Sequence, residues 1–132
     1  MKRFAKPFGP KNNIVMLNNK LTFQALFWVL LTILTYLLLI ELKPTPQTWP
    51  TDKLQHVIVF VLLTYFGRNA YPKYGLYLGL GLASYGGLME LLQTAFTHTR
   101  TGNIADWLAD LAGIFLVVYG LNMQNKNSTN LQ

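Results

Sequence analysis

Apolar positions in this chain come in long runs, not in the short periodic patches of a soluble domain. From Leu21 to Ile40 no side chain is charged, and about 20 such residues cross a ~30 Å hydrocarbon core as a helix. Three further stretches, Lys53 to Ala70, Tyr74 to Phe96 and Ile104 to Leu121, are also dominated by apolar residues and keep their ionisable groups near the ends, where a charge in lipid costs least. The pattern predicts an all-α integral membrane bundle of four transmembrane helices. It divides the chain into a basic tail over 1–20, a helical domain over 21–121 and a polar tail over 122–132. The first run is too long for the ~7–15-residue core of a secretory signal, and Glu41-Leu42-Lys43-Pro44 offers no small-residue cleavage site.

The connections fit this division. Pro44, Pro46 and Pro50 oppose helix formation in the first loop, Tyr71-Pro72 makes a tight turn, and Thr97 to Asn103 is a polar loop ending in a plausible amino-terminal cap for the last helix. Trp49 and Trp107 suit a membrane interface. The tail after Leu121 is expected to fray.

Charge then orients the bundle. Basic residues near span ends stay in the cytoplasm. Lys2, Arg3, Lys6, Lys11, Lys20, Arg68, Lys73 and Lys126 fall on one side, against Lys43, Lys53 and Arg100 on the other. Both termini are therefore expected in the cytoplasm. The net charge of +6 then belongs to topology and lipid contact, so no nucleic acid is expected as a partner. All five acids, Glu41, Asp52, Glu90, Asp106 and Asp110, fall toward the outer face. With no cysteine, the chain has no disulfide, thiolate nucleophile or cysteine-ligated metal.

Helical spacing gathers the polar groups. Asp52 and His56 share a face, as do Asp106 and Asp110, and Glu90 lies beside Gln93. Counted at ~1.5 Å per residue from the span ends, His56, Glu90 and Asp110 lie roughly 5–10 Å below the outer boundary. Small residues, which allow close helix approach in membranes, lie on the same faces: Gly79 and Ala83 with Glu90, Gly86 with Gln93, Gly113 with Asp106, and Gly67 with His56. Gly75, Gly79, Ala83 and Gly87 also form a four-residue ridge on the third helix, suited to packing within one chain or between two copies as a homo-oligomer, and Gly120 repeats the interval after Gly113. The acids are expected to converge inward.

Asp52-Lys53-Leu54-Gln55-His56 with Phe60, then Glu90-Leu91-Leu92-Gln93, Arg100, Asp106 and Asp110-Leu111-Ala112-Gly113 resemble the VanZ-like family of small bacterial membrane proteins over about residues 50 to 120. Asp110 stands where many relatives have Asn. The resemblance implies a multi-pass protein of the bacterial cytoplasmic membrane, in a family whose founder is associated with resistance to the glycopeptide teicoplanin; it supplies no reaction, and resistance does not transfer with a fold.

The leading functional expectation is a pocket near the outer leaflet, formed by Asp52, Lys53, His56, Glu90, Gln93, Arg100, Asp106 and Asp110, that binds or modifies a polar group of a membrane lipid or a lipid-linked envelope precursor. Arg100 and Lys53 would hold an anionic headgroup. Glu90 or His56 would exchange protons, and His56, Glu90 and Asp106 are the catalytic candidates, without an identifiable nucleophile. No cofactor is expected. One alternative is a metal or proton site among Asp52, His56, Glu90, Asp106 and Asp110; the other is an interhelical hydrogen-bond network that only stabilises or assembles the bundle. Ser84 is expected to be a packing residue and His98 a loop residue. Gly79-Leu80-Gly81 follows no strand and is no nucleotide loop, while Asn127-Ser128-Thr129 matches a glycosylation acceptor on the expected inner side.

Overall fold

A computed structural model describes residues 10–40, 49–96 and 102–129. They form four helices: α1 (Pro10–Leu39), α2 (Trp49–Ala70), α3 (Gly75–Phe96) and α4 (Ile104–Thr129). A single 3-10 turn, Pro72–Tyr74, joins α2 to α3. Each span expected from the sequence corresponds to one helix, with three differences in length. Helix α2 begins at Trp49, four residues before Lys53, so Pro50 does not hold the first loop out of helix but sits in the first turn, where its missing N–H costs nothing. Helix α1 starts at Pro10, well inside the basic segment, because proline's missing N–H and fixed φ suit a first turn. Helix α4 continues to Thr129 instead of fraying after Leu121, since nothing in Asn122 to Thr129 is a proline or glycine that would stop it.

By length and composition, two helical segments can cross a membrane: Met16–Leu39 and Ile104–Gln124. Helices α2 and α3 fall below that mark for different reasons. Helix α2 carries Asp52, Lys53, His56 and Arg68. Helix α3 spends Gly75, Gly79, Gly81, Gly86 and Gly87 on positions that gain little from lipid.

The interior is small. Phe27, Phe60, Leu63, Leu82 and Ile114 form its buried cluster, with every helix represented. Around it, large apolar side chains face outward on all four helices, including Trp28, Val29, Ile58, Leu76, Leu91 and Phe115. Exposed apolar side chains on every helix suit an apolar surrounding or partner.

Helix α2 lies at the centre and packs most extensively on α4. Gly113 makes that approach possible: a Cβ there would stand 2.6 Å from the Val57 carbonyl oxygen and 3.1 Å from the Val61 nitrogen. At Gly67 the space is filled by Leu78 and Phe27. Two positions of the α3 ridge are filled within the chain, Gly75 by Arg68 and Gly87 by Trp107, whereas Gly79 stays open, a Cβ there meeting only Ile114 at 3.8 Å. Gly120 faces open space, so the sequence interval overstates the packing at that end. Ser84, expected among packed glycines, is exposed.

The α3–α4 connection is tied by side chains. Asn103 caps α4 through its Oδ1, which accepts the Ala105 N–H at 3.0 Å. The Gly102 N–H donates to Thr94 Oγ1 at 2.9 Å, and the Glu90 backbone passes so close to Gly102 that a side chain there would collide with it. The half-buried Trp107 donates its Nε1–H to the Ala83 carbonyl at 2.9 Å, over the space left by Gly87.

Helix α1 is more than an anchor. Thr35 and Tyr85 share a hydroxyl hydrogen bond at 2.8 Å, and Trp28 Nε1–H donates to Tyr71 Oη at 2.9 Å. Both bonds tie α1 to the remainder of the bundle.

Candidate functional site

Polar side chains from α2, α3 and α4 meet at the end of the bundle where α2 and α4 begin and α3 ends. Two clusters are stacked there along α2, because Asp52, Lys53 and His56 occupy its first turns at helical spacing. In the upper cluster Lys53 Nζ pairs with Asp106 across the α2–α4 contact, and lies 3.2 Å from Asp52 Oδ2. In the lower cluster His56 Nδ1 lies 2.8 Å from Asp110 Oδ1, and Asp110 is 2% exposed. With Asp110 ionised, Nδ1–H is the donor and Nε2 is the nitrogen left for another partner. Gly86 of α3 gives this carboxylate its room: a Cβ at that position would stand 2.7 Å from Asp110 Oδ2.

Glu90 completes the lower cluster from α3. Its Oε2 accepts the Asn103 backbone N–H at 2.7 Å, so the carboxylate serves the start of α4 while facing His56 and Asp110. His56, Glu90 and Asp110 can each bring one ligand atom within 4.8 Å of the others, and the same holds for Asp52, His56 and Asp106. Gln93, grouped with Glu90 by its spacing, turns elsewhere: its Nε2 donates to the Leu38 carbonyl of α1 at 3.2 Å. Arg100 and His98 lie outside the described residues.

A cavity of about 210 Å³ opens beside the clusters, between α1 and α2. Leu34, Leu37, Leu38, Val59 and Phe60 give it apolar walls, while Asp52, Gln55 and His56 supply its polar part. The α1 contribution was not legible from the motifs, all of which lie on the later helices. Thr94, Gly102 and the backbone of Asn103 were also missed as supports for Glu90, although the polar loop and the capping residue pointed to their neighbourhood.

The arrangement has a definite electrostatic character. Among the described residues it holds four carboxylates, from Asp52, Glu90, Asp106 and Asp110, against one ammonium and one imidazole. Lys53 is already engaged by two of the acids. The expectation that it would hold an anionic headgroup is therefore replaced: an anion there would have to displace Asp106 and face the other carboxylates. The cluster instead favours hydroxyl and ammonium donors or a cation. No protein family, curated protein or solved structure matches this chain.

Proposed function

We propose that this protein is a four-span membrane protein of the VanZ-like type, with both termini in the cytoplasm of a bacterial cell, that binds the hydroxyl- or amine-bearing headgroup of a lipid or lipid-linked envelope precursor near the outer leaflet. The cavity between α1 and α2 carries this reading, since apolar walls lead into Asp52, Gln55 and His56 at its polar part. An acyl segment would lie against Leu34, Leu37 and Val59, and a headgroup would donate hydrogen bonds to the acids. Two further features support it. The apolar outer surface suits lipid on all four helices, and the motif residues Asp52, Lys53, His56, Glu90, Asp106 and Asp110 gather at one end of the bundle. His56 and Asp110 form a pair able to exchange a proton with a bound hydroxyl.

The test is lipid-resolved native mass spectrometry of the protein in membrane discs. Asp52→Asn removes the charge of the one carboxylate that lines the cavity, and is expected to reduce co-purified amine- or hydroxyl-headed lipid at least several-fold. An unchanged lipid profile contradicts the reading.

A divalent cation is the second reading, favoured by the spacing of His56, Glu90 and Asp110. One imidazole with two carboxylates suits Zn²⁺ or Mn²⁺. On this reading the purified protein takes up one equivalent of Mn²⁺ or Zn²⁺, measured by elemental analysis, and Asp110→Asn abolishes the uptake. On the headgroup reading, a chelator leaves lipid retention untouched.

A further inference from the structure

At the opposite end of the bundle, Arg68 stands half-buried in the last turn of α2 and makes no hydrogen bond or ion pair with any described residue. Its guanidinium lies directly on α3 in the space that a side chain at Gly75 would occupy. From there it faces a groove of about 580 Å³ between α3 and α4, walled by Gly79, Leu80, Ile114 and Val118, with Asn122 as a further polar group. On α4 the groove runs from Leu111 to Asn122, about 16 Å at ~1.5 Å per residue. That matches one leaflet of a ~30 Å hydrocarbon core.

We infer that this groove is a binding site for one anionic phospholipid of the cytoplasmic leaflet, its acyl chain lying along Ile114 and Val118 and its phosphate held by Arg68. The charge pattern selects this occupant. The chain's acidic residues are Glu41, Asp52, Glu90, Asp106 and Asp110, and none lies in the half of α2, α3 or α4 that contains Arg68, so no acidic side chain among the described residues is placed to neutralise it. A second copy of the chain is a poor candidate, because it brings a net charge of +6 and no acid at this level. A phosphate matches the planar donor fork of Arg, while the apolar walls match a chain. Lys73 in the adjoining turn, and Lys126 four residues beyond Asn122 on α4, make the surrounding surface basic.

The inference depends on the membrane placement but not on the outer clusters, which are tested with a different lipid class. The experiment compares retention of phosphatidylglycerol and phosphatidylcholine by the intact protein, using native mass spectrometry from mixed-lipid discs. The parent is expected to retain one phosphatidylglycerol in preference to phosphatidylcholine. Arg68→Gln should lower that preference about fivefold, the contribution of one basic side chain against an anionic lipid. Gly79→Leu should remove the bound lipid while leaving Arg68 in place, because its side chain fills the groove, where a Cβ meets only Ile114 at 3.8 Å. Lys73→Gln should have little effect, since Lys73 is exposed. The inference is overturned if Arg68→Gln matches the parent, if Gly79→Leu stays folded by circular dichroism and keeps the lipid, or if Lys73→Gln loses as much as Arg68→Gln, which would mark diffuse surface charge.

Discussion

Replacing Gly113 with valine is expected to stop the bundle from assembling. The Cβ alone would press to 2.6 Å from the Val57 carbonyl oxygen and 3.0 Å from Phe60 Cβ. These are main-chain and stem atoms of α2, which cannot rotate away as the tip of a flexible side chain can. Overpacking typically costs ~1–3 kcal/mol, and a branched side chain against backbone should reach or exceed the top of that range, a large share of the ~5–15 kcal/mol that holds an ordinary domain together. The loss falls where α2 meets α4, the contact that also brings Lys53 to Asp106 and His56 to Asp110. Gly120→Val is the matched control: nothing lies within 4 Å of a Cβ at that position. Monodisperse yield after detergent extraction, followed by thermal unfolding, should show Gly113→Val depleted and destabilised and Gly120→Val close to the parent. Equal behaviour of the two would mean that α2 and α4 do not approach at Gly113.

Lys53→Met is the second large effect. The substitution keeps the unbranched stem, one atom shorter, but removes the only ammonium among the described polar clusters, stranding Asp106, whose side chain is 12% exposed, beside Asp52. Breaking a buried pair by deleting one partner costs about 3–5 kcal/mol, most of it the penalty of the charge left behind. Remaining exposure should place this case toward the lower figure. The companion variant Asp106→Asn removes the stranded charge, so the double substitution Lys53→Met with Asp106→Asn should recover at least half of the lost stability. Additive losses in the cycle would show that the two side chains do not interact.

How far the sequence reached depends on the physics of each element. The four helices were legible because a run such as Leu21 to Ile40 leaves a membrane helix little choice of length. Their ends were less so. A proline suits a first turn as well as a loop, and Pro50, expected to oppose helix formation, proved to be the former. The convergence of His56 with Glu90 and Asp110 was accessible because helical spacing set their faces and Gly113 marked the close approach, whereas Lys53, read as a headgroup ligand, pairs with Asp106 instead. Gln93 shows the limit: spacing put it beside Glu90, but its long side chain reaches a carbonyl on α1. Trp107 shows the same limit, since its composition-based reading gave no hint that the indole N–H would bond the Ala83 carbonyl over Gly87. The role of α1 in the cavity was hidden because Leu34, Leu37 and Leu38 are the residue types any membrane helix carries.

The central claim is that the carboxylate-rich end of the bundle lies at the outside of a membrane which all four helices cross. The absence of cysteine makes substituted-cysteine labelling a clean test. Thr51→Cys and Ile104→Cys stand at the exposed starts of α2 and α4, while Lys73→Cys and Met123→Cys stand at the exposed opposite end. In intact cells a membrane-impermeant maleimide should label positions 51 and 104, and should reach 73 and 123 only after permeabilisation. Labelling of 51 and 73 from the same side would show that α2 does not cross, and would contradict the account.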